Sequence, residues 1–196
     1  MRYNHVRVPL DYMLGNPGEG FKVAQARLGG GRIHHAMRTI GLAQKTFDMM
    51  CERALSRETQ GSLLADKQFV QGYIADSYAQ LMQFRLYTLF TAWSIDKHND
   101  YRKVRKDIAA IKVLMPGVLH DIAQRSLQVH GALGVTIDTP LERMYRHARF
   151  ARIYDGPDEV HIESLAKRIL RTYARGGNWD FGLRDLPVRP AIEATP

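Results

Sequence analysis

The fold is decided by one stretch, residues 33–54, which has the sequence IHHAMRTIGLAQKTFDMMCERA. Its apolar residues recur at helical spacing, so that one face of a helix would be buried. The predicted inward positions are Ile33, Met37, Ile40, Phe47, Cys51 and Ala54. We expect an amphipathic helix over about residues 22–57, which three consecutive glycines at 29–31 should weaken or bend.

Further helices follow this one. Residues 64–97 and 103–130 keep the helical period, and a Pro-Gly pair at 116–117 should kink the second of these helices. The inner face of the first is predicted to carry Tyr73, Ile74, Ser77, Leu81, Phe84, Thr88 and Ile95. A short helix over about 141–151 leads to a last helix over about 157–174, whose first position suits proline. The sequence therefore predicts an all-α fold, an up-and-down bundle of the four-helix type.

The two ends of the chain depart from the helical pattern. Apolar residues alternate with polar residues and proline over residues 6–10, which predicts a short strand within residues 1–21. A lone strand needs partners from elsewhere, so we expect the chain to be a piece of something larger. Residues 22–175 form the predicted bundle, and residues 176–196 are expected to form an extended or disordered tail.

Composition narrows the class of protein. A chain of 196 residues that is 45% hydrophobic and 24% charged suits one soluble domain. The single cysteine, Cys51, excludes an internal disulfide and fits a reducing compartment. The amino terminus lacks the apolar core of a signal peptide, and no apolar run reaches the ~18 residues of a membrane span. We expect a cytoplasmic protein without a membrane span.

The formal net charge of +8 has two interpretations. Lysines and arginines are spread along the helices, with one local cluster over residues 102–106. These residues either form solvated helix faces or bind a phosphate-bearing partner. Because no DNA-binding motif accompanies them, nucleic acid is not expected as a partner. None of the eight histidines forms the i, i+4 pair of a helical zinc site, so no metal is expected either.

Four stretches, taken in order, resemble the acyl-CoA dehydrogenase family. Residues 7–21, with Arg-Val-Pro and Gly-Glu-Gly-Phe, are similar to the end of its central β-domain. Residues 28–41 resemble the start of its carboxyl-terminal bundle, and residues 128–134, QVHGALG, resemble its glutamine and glycine loop. Residues 148–156, which end in Ile-Tyr-Asp-Gly, resemble its catalytic turn. The resemblance implies that a remnant of the β-domain precedes the family's carboxyl-terminal helical domain.

The resemblance also implies a reaction, the α,β-dehydrogenation of an acyl-CoA thioester. A carboxylate removes the α-proton while the β-hydride moves to FAD, and Asp155 stands where the family's usual base is glutamate. The sequence Asp-Gly-Pro-Asp-Glu-Val-His that begins there is similar to a branch in which aspartate serves as the base. Some members carry the base at the position that Gly31 occupies here. Because glycine has no carboxylate, that alternative is closed for this chain. A second interpretation is that Asp155 merely caps the helix beginning near Pro157, and the two roles can coexist.

The same resemblance implies binding positions. Those on the substrate side are Gly29, Gly30, Gly31, Arg32 and Gly156. Those for FAD are Arg57, Thr59, Gln68, Gln128, Gly131, Ala132, Gly134, Pro157 and Glu159. Of these, Arg57 and Thr59 would reach the FAD pyrophosphate of a neighbouring subunit, and an arginine fork suits a diphosphate. From the residues alone, Arg32 has a second interpretation as a solvent-facing helix arginine.

The resemblance covers only the second half of a full-length enzyme. We therefore expect no complete flavin site in this chain, because the family's other domains hold the isoalloxazine ring. The implied partners are an acyl-CoA substrate and either further copies, as a dimer or tetramer, or a separate chain carrying the missing flavin domains. The alternative is a non-catalytic helical subunit or interaction module.

Overall fold

Helices make up most of the chain. A computed structural model describes residues 1–177, and within that range the helices are α1 (Gly20–Ser56), α2 (Gln68–His98), α3 (Arg105–His130), α4 (Leu141–Phe150) and α5 (Asp158–Ala174). A short antiparallel hairpin, β1 (Glu58–Thr59) and β2 (Ser62–Leu63), joins α1 to α2. The predicted all-α fold is confirmed.

Helix α3 lies at the centre of the bundle and packs against α1, α2, α4 and α5. Its buried apolar residues follow one another at three- and four-residue steps, which places them on one side of the helix. They include Ile108, Ile111, Met115, Leu119 and Ile122. The facing residues of α1 include Ala36 and Ala43, both fully buried, and such small side chains let two helices approach closely.

The core has two parts. The larger cluster joins α1, α2, α3 and α4 and consists of Ala36, Ile40, Ala43, Leu81, Phe84, Ile111, Met115, Leu119, Ile122, Ala148 and Ala151. The smaller cluster consists of Met50, Ala54, Val70 and Val129. It brings the carboxyl-terminal ends of α1 and α3 together with the start of α2, at the end of the bundle that carries the hairpin.

Several details differ from the predictions. Residues 1–9 form no strand, and Leu10–Tyr12 form an exposed turn of 3-10 helix, because no described segment pairs with this part of the chain. Helix α1 continues through its three glycines, and α3 continues through Pro116, whose expected kink stays a prediction. Met37 is exposed rather than inward. Residues 178–196, nearly all of the predicted tail, lie outside the described residues.

No helix within residues 1–177 is both long enough and apolar enough to cross a membrane.

Candidate active site

The turn between α4 and α5 carries the predicted base. Asp155 has a φ of +56°, in the left-handed region that residues other than glycine rarely adopt. Gly156 follows with a φ of +99°, and a Cβ there would lie 2.8 Å from His161 Nε2. Only glycine therefore fits at position 156, and the turn depends on it.

The backbone carbonyl of Asp155 accepts three hydrogen bonds. Arg32 donates from Nε at 3.3 Å and from Nη2 at 3.2 Å, and His161 Nε2 donates at 3.1 Å. Burial lowers the pKa of Arg32 and the pKa of His161. Arg32 is thus half-buried against the turn, and its second interpretation, as a solvent-facing arginine, is wrong.

The side chain of Asp155 points into the bundle and is only 19% exposed. Its Oδ2 lies 2.6 Å from His35 Nε2 on α1, a close polar contact. Oδ2 is buried, and this contact does not complete a hydrogen bond to it. One oxygen of the carboxylate therefore keeps an uncommitted lone pair.

The start of α5 excludes the interpretation of Asp155 as a mere cap. The N-cap residue is Pro157, one place later than predicted, and Asp158 is the first helical residue. No side chain caps this helix by a hydrogen bond. The amide of Asp158 donates instead to the carbonyl of Arg152 at 3.1 Å.

A buried lysine joins the two ends of the turn. Lys112, on α3, is fully buried, and its Nζ donates to the carbonyl of Ala151 at 2.8 Å. The same Nζ lies 3.7 Å from Asp158 Oδ1, while Arg152 Nη1 donates to Asp158 Oδ2 at 2.9 Å. Burial lowers the pKa of Lys112, and Asp158 opposes that shift. Because Ala151 follows α4 and Asp158 begins α5, this network fixes both ends of the turn that carries Asp155.

The predicted substrate-side glycines lie one turn or less before Arg32 on α1. A Cβ at Gly29 would lie 3.5 Å from the ring of Tyr101, and a Cβ at Gly30 would lie 3.3 Å from its hydroxyl. A Cβ at Gly31 would lie 3.4 Å from Arg27 Nη1. The first two glycines thus admit a tyrosine from the α2–α3 connection, and their contact with acyl-CoA stays a prediction.

Most of the predicted FAD positions lie at the other end of the bundle. Arg57 and Thr59 are exposed at the hairpin, and Gln68 is exposed at the start of α2. Gln128 and Gly131 line an open groove of ≈ 530 Å³ beside the carboxyl-terminal end of α3. Between Arg32 and Arg57, α1 rises by about 37 Å at ~1.5 Å per residue, so Asp155 and these positions are far apart.

The remaining FAD positions differ in their surroundings. Gly131, with a φ of +64°, has open space where a Cβ would stand, and Ala132 beside it is exposed. Gly134 is buried, and a Cβ there would lie 3.0 Å from the carbonyl oxygen of Leu127, so its missing side chain serves the fold. Pro157 and Glu159 are exposed beside the catalytic turn, away from the other positions.

Three side chains at this turn were not predicted as site residues: His35, Lys112 and His161. A signal for Lys112 was present, because it stands four residues after Ile108 and three before Met115, on the apolar side of α3. For His35 no local signal exists, since its partner lies on a distant element. His161 ends the Asp-Gly-Pro-Asp-Glu-Val-His motif and contacts Asp155 six residues earlier, so the motif was its signal. Within residues 1–177, no group of three or more His, Cys, Asp or Glu side chains is placed to hold a metal ion.

Comparisons with known proteins identify the family to which this fold belongs. The family described as acyl-CoA dehydrogenase, C-terminal domain, matches residues 18–170. Acyl-CoA dehydrogenase family member 11 of Rattus norvegicus is 45% identical over 175 residues, which are 89% of this chain and 22% of that protein. FadE2 of Mycobacterium tuberculosis, named as an acyl-CoA dehydrogenase, is 47% identical over 165 residues, 84% of this chain and 40% of that protein.

The solved structure of butyryl-CoA dehydrogenase from Megasphaera elsdenii superposes with a TM-score of 0.76 at 28% identity, over 84% of this chain and 42% of that one. The chain thus spans less than half the length of the relatives that it matches. The matched residues 18–170 contain the whole bundle up to the last turn of α5, including the turn that carries Asp155. The chain therefore belongs to the acyl-CoA dehydrogenase family, as its carboxyl-terminal helical domain.

Proposed function

We propose that this chain supplies the catalytic base for the α,β-dehydrogenation of an acyl-CoA thioester, with Asp155 as that base. The observation that carries the proposal is the inward carboxylate of Asp155, buried at Oδ2 and free of any hydrogen bond there. A thioester α-proton is a weak acid, so its base must be close, oriented and shielded from water.

The turn provides that orientation. Residues held in left-handed backbone conformations persist only where their surroundings enforce them, and they concentrate at active sites. Here Arg32 and His161 hold the carbonyl of Asp155, and Lys112 holds the ends of both flanking helices. The backbone is thus fixed independently of the carboxylate, which leaves the carboxylate free to accept a proton.

The described residues fit FAD as the group that the reaction requires. The exposed Arg57 and Thr59 offer a fork of donors and a hydroxyl suited to a diphosphate, and Gln128 with the open Gly131 offers amide contacts and backbone access. When bound, FAD would accept the hydride from the β-carbon.

The distance between the two ends of the bundle determines how FAD would be shared. A flavin ring beside Asp155 is separated from Arg57 of the same chain by about 37 Å of helix. We infer that Arg57 and Gln128 serve a dinucleotide whose reactive end faces another copy, while the base of this chain faces a flavin held mainly by segments outside it.

Self-association through the bundle is part of this proposal. Helix α5 exposes Val160, Ile162, Leu170 and Tyr173, each more than half accessible. Such a series of exposed apolar side chains on one helix is typical of an interaction surface. Sedimentation should show a dimer or tetramer, and a clean monomer at micromolar concentration would count against self-association.

The test is the absorption spectrum of the holoenzyme that contains this chain, recorded before and after addition of a panel of acyl-CoA thioesters. We expect an oxidised flavin spectrum that bleaches with at least one thioester, and a product lighter by two hydrogens. The Asp155→Asn variant should retain the flavin but not bleach. Asp96→Asn, on the exposed face of α2, is the matched control and should bleach normally.

The alternative, a non-catalytic helical subunit, makes the opposite prediction. In that case Asp155→Asn would leave acyl-CoA turnover in the assembled protein unchanged.

A further inference from the structure

His35 stands directly beside the proposed base. It lies on α1, half-buried, with Nε2 at 2.6 Å from Asp155 Oδ2 and its ring centre 5.0 Å from that of Tyr154. Asp155 Oδ2 has no completed hydrogen bond, and the imidazole of His35 is in close contact with it.

The opposite ring nitrogen of His35 contacts Arg38, one helical turn further along α1. Arg38 Nη2 lies 2.8 Å from His35 Nδ1 and 3.4 Å from the hydroxyl of Tyr154. A guanidinium only donates hydrogen bonds and stays protonated in proteins, so Nδ1 must be the acceptor. The proton of a neutral His35 is therefore on Nε2, the nitrogen that faces Asp155.

The charges around His35 favour the neutral ring. The titratable and charged groups that face it from α1, α3, α4 and the catalytic turn are His34, Arg38, Lys112, His147, Tyr154 and Asp155. Burial is the main cause that lowers the pKa of His35, and Arg38, His34 and Lys112 lower it further, while Asp155 opposes them.

We propose that His35 is a positioning residue for Asp155 through the close contact of its Nε2 with Oδ2, and that Arg38 holds its ring neutral with the proton on Nε2. The proposal rests on the function proposed for Asp155. A neutral N–H locates the carboxylate without giving it a full cationic partner, which would stabilise the charged form and weaken the base. Because Oδ2 has no completed hydrogen bond, a lone pair remains available for the substrate proton.

The first test is independent of catalysis. Nitrogen-15 shifts of the His35 ring should show an unprotonated Nδ1 and a protonated Nε2 at pH 7.5. In Arg38→Met, the loss of the cation and of the donor should raise the titration midpoint of His35. Arg85→Met, an exposed arginine on α2, is the matched control and should leave both properties unchanged. A proton on Nδ1, a doubly protonated ring at this pH, or an Arg38→Met variant with an unaltered midpoint would overturn the proposal.

The second test uses flavin bleaching by acyl-CoA in the holoenzyme. In His35→Ala the rate of flavin bleaching should fall by about tenfold or more, while the affinity for acyl-CoA should change little, because only the orientation of the base is lost. His35→Gln, which keeps an N–H donor, should recover part of the rate. In Arg38→Met the rising limb of the pH–rate profile should move to higher pH, because a protonated His35 then pairs with the base.

The two proposals fail separately. If Asp155→Asn bleaches at the wild-type rate, the proposed function is wrong whatever the ring nitrogens show. If Asp155→Asn abolishes bleaching but His35→Ala does not slow it, the function stands and the positioning role of His35 is refuted.

Discussion

Replacing Lys112 with methionine is expected to lower the free energy of unfolding by about 3 kcal/mol, and the figure follows from the contacts of its Nζ. The substitution removes a charge-assisted hydrogen bond of 2.8 Å to the carbonyl of Ala151, which contributes about 1.5–3 kcal/mol, and leaves that buried acceptor unsatisfied. Methionine has a similar volume, so little packing is lost.

Loss of the ion pair between Lys112 and Asp158 should cost less than breaking a buried pair usually does. Removing one partner of a buried pair typically costs about 3–5 kcal/mol because a charge is left uncompensated. Here Asp158 keeps its hydrogen bond from Arg152 at 2.9 Å, so the residual charge remains paired. These contributions together support a value between about 2 and 4 kcal/mol.

Urea unfolding followed by far-ultraviolet circular dichroism measures this difference. For a chain of this size, about 3 kcal/mol also corresponds to a fall in Tm of roughly 6–12 °C. Lys45→Met, at an exposed site on α1, is the matched control and should change stability by less than about 0.5 kcal/mol. A Lys112→Met variant as stable as the wild type would refute the role given to this lysine in holding the catalytic turn.

Three further results are expected. Gly156→Ala should lower the free energy of unfolding by at least about 2 kcal/mol in urea, because the positive φ disfavours a Cβ and that Cβ would press against His161. Gly72→Ala, in an open part of α2, should instead raise it by about 0.5–1 kcal/mol. Equal effects of the two substitutions would contradict this. Burial lowers the pKa of His35, His147 and His161. Because the unfolded chain then binds more protons below about pH 6.5, urea midpoints should fall as the pH drops from 7.5 to 5, and a flat profile would be inconsistent with burial of these rings. Arg57→Ala should weaken FAD binding by the holoenzyme by about tenfold or more, as measured by a flavin-release titration, and Arg85→Ala should leave it unchanged. If Arg57→Ala binds FAD as tightly as the wild type, Arg57 is not part of the cofactor site.

The helical bundle could be predicted because its information is local. The period of apolar residues in α1, with Ile40 and Ala54 buried as expected, depends only on residues a few positions apart. Residues 1–9 form no strand here because a strand requires a ladder partner and the described chain offers them none, so a strand paired with segments outside this chain stays a prediction.

The candidate site could be predicted only in part. The position of Asp155 came from a short motif, which is local, whereas its surroundings depend on tertiary contacts. Arg32 and His35 reach the turn from positions more than a hundred residues earlier in the chain, and no periodicity encodes such a pairing. Lys112 was the exception, since a lysine among inward apolar positions of α3 already indicates a buried charge that needs a partner.

In the proposed reaction the carboxylate of Asp155 removes the substrate proton. The most direct measurement is the rate constant of flavin reduction after rapid mixing of the holoenzyme with a saturating acyl-CoA thioester, for wild type, Asp155→Asn and Asp96→Asn. Loss of a general base slows a reaction by about 10²–10⁴-fold, so Asp155→Asn should fall by at least about 100-fold while Asp96→Asn matches the wild type. Flavin reduction by Asp155→Asn at the wild-type rate would contradict the claim.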